Sequence, residues 1–74
     1  MTHYDDAVAI LREKGNRLTP QRLLVLSTIA ESRHHIGIDE IYKASKSVYP
    51  YLDLATVYRT VHLFRDVGVL TEIG

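Results

Sequence analysis

Apolar residues fall into four stripes with helical spacing, separated by short punctuated turns. Between Tyr4 and Lys14, Ala7, Val8, Ile10 and Leu11 recur at the three-and-four spacing of one helix face. Gly15 follows, where a left-handed residue closes a helix. A second helix opens on Thr19 as cap and Pro20 in the first helical position, where an N–H would have no intrahelical partner anyway. Its expected buried face is Leu23, Leu26, Ile29 and Ala30, and residues 32–35 break it. A third helix is expected from Gly37, with Asp39 and Glu40 in the first turn, where negative charge suits the helix dipole. Gly37 serves as a cap that lacks a side-chain acceptor. Ile38, Ile41, Tyr42, Ser45 and Val48 mark the inward stripe of that helix. Tyr49-Pro50-Tyr51 ends it, because a residue before proline is pushed out of helical geometry. Asp53 then caps a fourth helix from Leu54 to about Val67, with Val57, Val61 and Phe64 on one side and Thr60 beside them. Gly68 terminates it. The tail, residues 69–73, alternates in part, as a short strand does.

Three to four short helices joined by tight turns, with an incipient strand, predict a mostly α helix-turn-helix fold. The fourth helix then keeps one side free. Thr56, Tyr58, Arg59, His62 and Arg65 lie largely outside its apolar stripe. Hydroxyls, a phenol, an imidazole and two guanidiniums are donors suited to phosphate oxygens and base edges. Leu63 beside them is read as a core edge. Polar residues are expected on the outer side of any amphipathic helix, so the pattern alone leaves DNA recognition and a plain interaction domain both open.

Composition narrows the classes. The chain has 74 residues, 46% apolar and 24% charged, which fits one small globular domain, residues 1–74. It contains no cysteine, which removes disulfides, thiolate metal sites and cysteine nucleophiles. No apolar stretch reaches the roughly 18–20 residues that cross a bilayer. The start, Met1-Thr-His-Tyr-Asp-Asp6, lacks a signal peptide's basic and apolar segments, so the expected location is the cytoplasm. Nine Lys and Arg balance nine Asp and Glu, and net charge names no partner. The distribution is uneven, however: Arg12, Lys14, Arg17 and Arg22 face Glu13 alone between positions 12 and 22. No phosphate loop, nucleophile motif or adjacent acid–base pair is present, so no enzyme is expected. His62 and Asp66, four apart on a helix, read as a surface pair.

Five segments together resemble the N-terminal DNA-binding half of ferric uptake regulator (Fur) family repressors. They are Gly15-Asn-Arg-Leu-Thr-Pro-Gln-Arg22, His34-His35, Asp39-Glu-Ile-Tyr42, Ala55-Thr-Val-Tyr-Arg59 and Gly68-Val-Leu70. The likeness runs from about residue 7 to residue 73. It implies a winged helix-turn-helix with its β-wing truncated at the C-terminus, in a metal-responsive regulator whose separate dimerisation domain lies outside this chain. The implied partner is double-stranded DNA, an A·T-rich palindromic operator bound by a homodimer.

By the same resemblance, Tyr58 and Arg59 enter the major groove from a recognition helix at about 54–67. Tyr58 touches thymine methyls and Arg59 a phosphate or base edge. Thr56 holds a phosphate, Arg22 clamps another, and Thr19 joins them as a DNA-contacting residue. Arg17 enters an adjacent minor groove, whose narrow A·T tracts concentrate negative potential. His35 is implied as one ligand of a metal site for iron, zinc or manganese in the full-length protein. One imidazole cannot hold such an ion alone, so no cofactor is expected within these 74 residues. The alternative function is a winged-helix protein–protein module, for which Leu63 is the only apolar anchor expected on the fourth helix.

Overall fold

The computed structural model describes residues 4–32 and 36–69. Within them the chain forms four α-helices: α1 Tyr4–Glu13, α2 Pro20–Glu31, α3 Ile38–Val48 and α4 Leu54–Asp66. Local chemistry sets each start. Thr19 is extended and its Oγ1 accepts the Arg22 backbone N–H at 3.2 Å, with Pro20 leading α2. Asp53 caps α4 in the same way, Oδ1 accepting the Thr56 N–H at 2.8 Å. Gly37 precedes α3 with no side-chain cap, as a residue without an acceptor must.

Two glycines close α1 and α4 by the same device. Gly15 (φ +77°) and Gly68 (φ +84°) adopt the left-handed conformation that costs other residues. Around Gly15, the Gly15 N–H reaches Arg12 O at 3.0 Å and the Asn16 N–H reaches Leu11 O at 2.9 Å. Around Gly68, the matching pair is Gly68 to Arg65 O at 3.1 Å and Val69 to Phe64 O at 2.9 Å. Both are Schellman closures, which satisfy carbonyls the helix end leaves over. The second also turns the chain inward: Val69 and Phe64 are both fully buried.

Helix α2 is the hub, packed against α1, α3 and α4, while α3 and α4 also touch. Ala7 and Leu11 from α1, Val25, Leu26 and Ile29 from α2, and Ile41 from α3 meet Val57, Val61 and Phe64 from α4 in one core. Ser45 is buried among them, and its hydroxyl meets Thr28 Oγ1 at 3.2 Å. No buried side-chain polar atom among the described residues lacks a partner.

The structure corrects two expectations. In α2 Val25 is buried beside the expected Leu26 and Ile29, whereas Leu23 and Ala30 are half-buried. The run Leu23–Leu26 is apolar all round and so gives the stripe no phase. In α3 the last residue, Val48, is 70% exposed instead of inward. Its place is taken by Leu52 (3% exposed), carried in by the turn whose Leu52 N–H bonds to Tyr49 O at 3.1 Å. The described residues contain helices and no strand. The expected strand lies almost wholly in residues 70–74, outside the described residues, as does His35.

Candidate nucleic-acid interface

Packing of α4 on α2 places the two helix starts on one side of the molecule, with an open cleft of about 270 Å³ between them. Its lining is Thr19, Gln21, Arg22, Thr56, Arg59 and Thr60. Four of these six are residues that the sequence singled out for DNA contact. The lining holds two guanidiniums and no carboxylate, and helix N-termini add positive partial charge. The Asp53 carboxylate, which caps α4 and feels the Arg59 charge, offsets part of this positive charge.

Hydrogen bonds fix its walls. Arg22 Nη1 donates to Arg17 O at 2.7 Å, which ties the loop before α2 to the helix and leaves the exposed Arg17 side chain outside the cleft. Thr19 Oγ1 accepts from the Arg22 N–H, so its own proton remains to be donated. Arg59 Nη2 donates to Thr56 Oγ1 at 3.3 Å. Thr60 turns its hydroxyl inward onto Thr56 O at 2.7 Å. The Thr56 backbone N–H is already held by Asp53, and the Thr56 hydroxyl oxygen accepts from Arg59. Hydrogen bonding from the Thr56 side chain holds the Asp53 carboxyl below the usual carboxylate range; the Thr56 backbone N–H and the Arg59 charge act in the same direction.

Four further polar side chains of α4 are exposed. Tyr58 is 43% exposed, and His62, Arg65 and Asp66 are exposed as well. The Tyr58 and His62 rings lie nearly parallel, 23° apart, with centroids separated by 6.5 Å. Thirteen residues make α4 about 20 Å long, sufficient to lie in a major groove roughly 12 Å wide. Leu63 is half-buried, in keeping with a core edge, while Leu54 is 39% exposed, so Leu63 is not the sole apolar anchor on this helix.

Gln21 and Thr60 were not singled out as site residues by the sequence. Their signal is positional: Gln21 follows Pro20 in the first turn of α2, and Thr60 stands one turn beyond Thr56. Among the described residues no three His, Cys, Asp or Glu side chains converge to hold a metal ion. No described helix is long and apolar enough to cross a membrane.

The chain matches the sequence profile of the Ferric uptake regulator family over residues 13–74. It is 36% identical over 69 residues to the Peroxide-responsive repressor PerR of Staphylococcus aureus (strain USA300), covering 93% of this chain and 47% of that protein. A structure of PerR from Streptococcus pyogenes, concerned with peroxide sensing and gene regulation, superposes with a TM-score of 0.81 at 32% identity, covering 92% of this chain and 46% of that one. A structure described as GAS PerR-Zn-Zn superposes with a TM-score of 0.82 at 33% identity, covering 90% and 43% respectively. The chain spans about half the length of the curated relatives it matches.

Proposed function

The chain belongs to the ferric uptake regulator family, and from that premise we propose that it binds double-stranded DNA sequence-specifically, as the DNA-binding part of a metal-responsive transcriptional repressor. The observation that carries this reading is the cleft in which Thr19, Arg22, Thr56 and Arg59 converge beside the exposed outer side of α4. A backbone phosphate seated there fixes register and orientation but reads no sequence. With that anchor, α4 lies in the major groove and presents Tyr58 to thymine methyls. Arg17, exposed on the loop that Arg22 holds, reaches the flanking minor groove.

The regulatory parts of this proposal concern a longer protein. A dimer reading an A·T-rich palindrome gains affinity because two half-sites bind together. A divalent metal (iron, zinc or manganese) belongs to that full-length assembly, with His35 as one ligand. The repressor role is supported by the likeness to the peroxide-responsive repressor PerR, and the proposed location is the cytoplasm.

Gel-shift titration at several salt concentrations tests the reading. Tighter binding to an A·T-rich palindrome than to scrambled DNA of equal length is expected. Equal binding to both, even at low salt, overturns specific readout.

A second reading, docking of a partner protein, draws on the exposed apolar side chains at the α3–α4 turn, chiefly Tyr51 (87% exposed) and Val48. Partner capture that survives nuclease treatment and Arg17→Ala favours that reading over the first.

A further inference from the structure

The solvent side of α4 has a centre and two flanks. At about 100° per residue, the buried residues Val57, Thr60, Val61 and Phe64 cluster around one direction. The opposite direction falls between His62 and Arg59. Tyr58 lies about 40° to one side of His62, and Arg59 about 60° to the other. All three side chains are exposed. The flanks differ in how they are held. Arg59 is drawn back onto Thr56 Oγ1 and lines the cleft that Thr19 and Arg22 share. Tyr58 is absent from that cleft, and its ring lies against His62 with centroids 6.5 Å apart and planes 23° apart. Offset, near-parallel rings at such separations attract. A duplex that touches Tyr58 on one flank and Arg59 on the other passes over His62.

We infer that His62 is a specificity-determining residue that donates a hydrogen bond to a purine in the major groove. The inference rests on the reading of α4 as the helix that lies in that groove. His62 follows Tyr58 by one helical turn, about 6 Å along the axis. With base pairs spaced about 3.4 Å apart, that places the base it reads about two pairs from the one Tyr58 touches. A neutral imidazole has one N–H donor. Purines present N7 as an acceptor in the major groove, and guanine adds O6; cytosine presents a donor there, and thymine a methyl group beside its O4. The imidazole lies near-parallel to the Tyr58 ring, with centroids 6.5 Å apart. On the same line of the helix, two turns earlier, Ala55 offers only a methyl group and leaves room for the duplex. Asp66, one turn after His62 and about 40° round the helix from it, is exposed and carries a charge that phosphates repel.

Selection from a pool of randomised short duplexes tests this with the full chain and three variants, Tyr58→Ala, His62→Ala and His62→Phe. The wild-type chain is expected to enrich a motif in which Tyr58→Ala erases a thymine position and His62→Ala erases a purine position about two pairs away. On the wild-type motif, His62→Ala weakens binding about two- to tenfold, the size of one hydrogen bond. His62→Phe keeps a ring against Tyr58 but has no donor. It should preserve the thymine position and lose the purine. The inference is overturned if His62→Ala enriches the unchanged motif, if His62→Phe retains the purine, or if His62→Ala erases only the Tyr58 position. In each of those cases DNA recognition by the chain still stands. If the wild-type chain enriches no motif, the DNA-binding proposal and this inference fall together.

Discussion

The hydroxyls of Thr28 and Ser45 meet 3.2 Å apart where α2 packs on α3. Thr28 Oγ1 also lies 2.9 Å from Leu24 O, to which it donates its single proton. Ser45, fully buried, is therefore the donor between the two hydroxyls. The two truncations differ in consequence. Ser45→Ala removes a donor and leaves Thr28 satisfied by Leu24, at a cost of about 0.5–1.5 kcal/mol. Thr28→Val strands a buried hydroxyl and costs about 1–3 kcal/mol. The double variant is expected to cost no more than Thr28→Val alone, because an apolar pair leaves nothing unpaired. Denaturant unfolding of the four proteins measures this cycle. No loss from Thr28→Val would mean that Ser45 turns to a carbonyl of its own helix instead.

Gly68 supplies a second stability test. Its φ of +84° closes α4, and a Cβ there meets nothing within 4 Å. The cost of Gly68→Ala is thus backbone strain alone, about 1–2 kcal/mol, with no steric clash added. Gly15→Ala, at φ +77° and equally open, should cost a similar amount. A much larger loss at Gly68 would show that displacing Val69 from its place beside Phe64 outweighs the strain.

These contacts also show what could be read from the sequence. Thr19-Pro20, Asp53, Gly15 and Gly68 act within one turn of their own position, so local chemistry was enough to place the helix ends. Likewise the spacing of Val57, Val61 and Phe64 was enough to orient α4. Val48 misled because periodicity gives a direction from the helix axis but says nothing about whether another element stands there; at the end of α3 none does. Leu52 belongs to a turn, where no period exists to point it inward. For the site, sequence picked out Thr19, Arg22, Thr56 and Arg59 through resemblance to a family. That α2 and α4 start side by side, and that Thr60 and Gln21 complete the cleft, depends on packing between segments about 35 residues apart in the chain, a separation over which no local spacing rule acts.

Protonation of Asp53 should loosen the start of α4. Its carboxyl is held below the usual range by the Thr56 side chain first, then by the Thr56 N–H and the Arg59 charge. A depressed folded value means that the stabilisation is present above the unfolded value, near pH 4, and is lost as pH falls through the folded one. Asp53→Asn keeps a capping acceptor but cannot ionise. Between pH 5 and pH 2 the wild-type chain should therefore lose more thermal stability than Asp53→Asn. Parallel melting curves would exclude a role for this carboxylate in acid sensitivity.

Arg59 and Tyr58 are neighbours in sequence, yet their loss should leave opposite signatures on DNA binding. Arg59 lines the cleft with Arg22, where a phosphate is the proposed guest, and phosphate contacts carry no sequence information. Arg59→Ala should weaken binding on cognate and scrambled duplexes alike and reduce the salt slope by about 0.9, one phosphate contact's share. Arg22→Ala should do the same, with an added loosening of the loop that carries Arg17, since the Arg22 bond to Arg17 O is also lost. Tyr58 lies outside the cleft and is uncharged, so Tyr58→Ala should leave the salt slope unchanged. It should cost roughly 1–3 kcal/mol on cognate DNA and little on scrambled DNA. Titrations of the three variants at several salt concentrations separate the two roles. A sequence-selective loss from Arg59→Ala would move its guanidinium from the backbone to a base edge. An equal loss on every sequence from Tyr58→Ala would remove the phenol from readout.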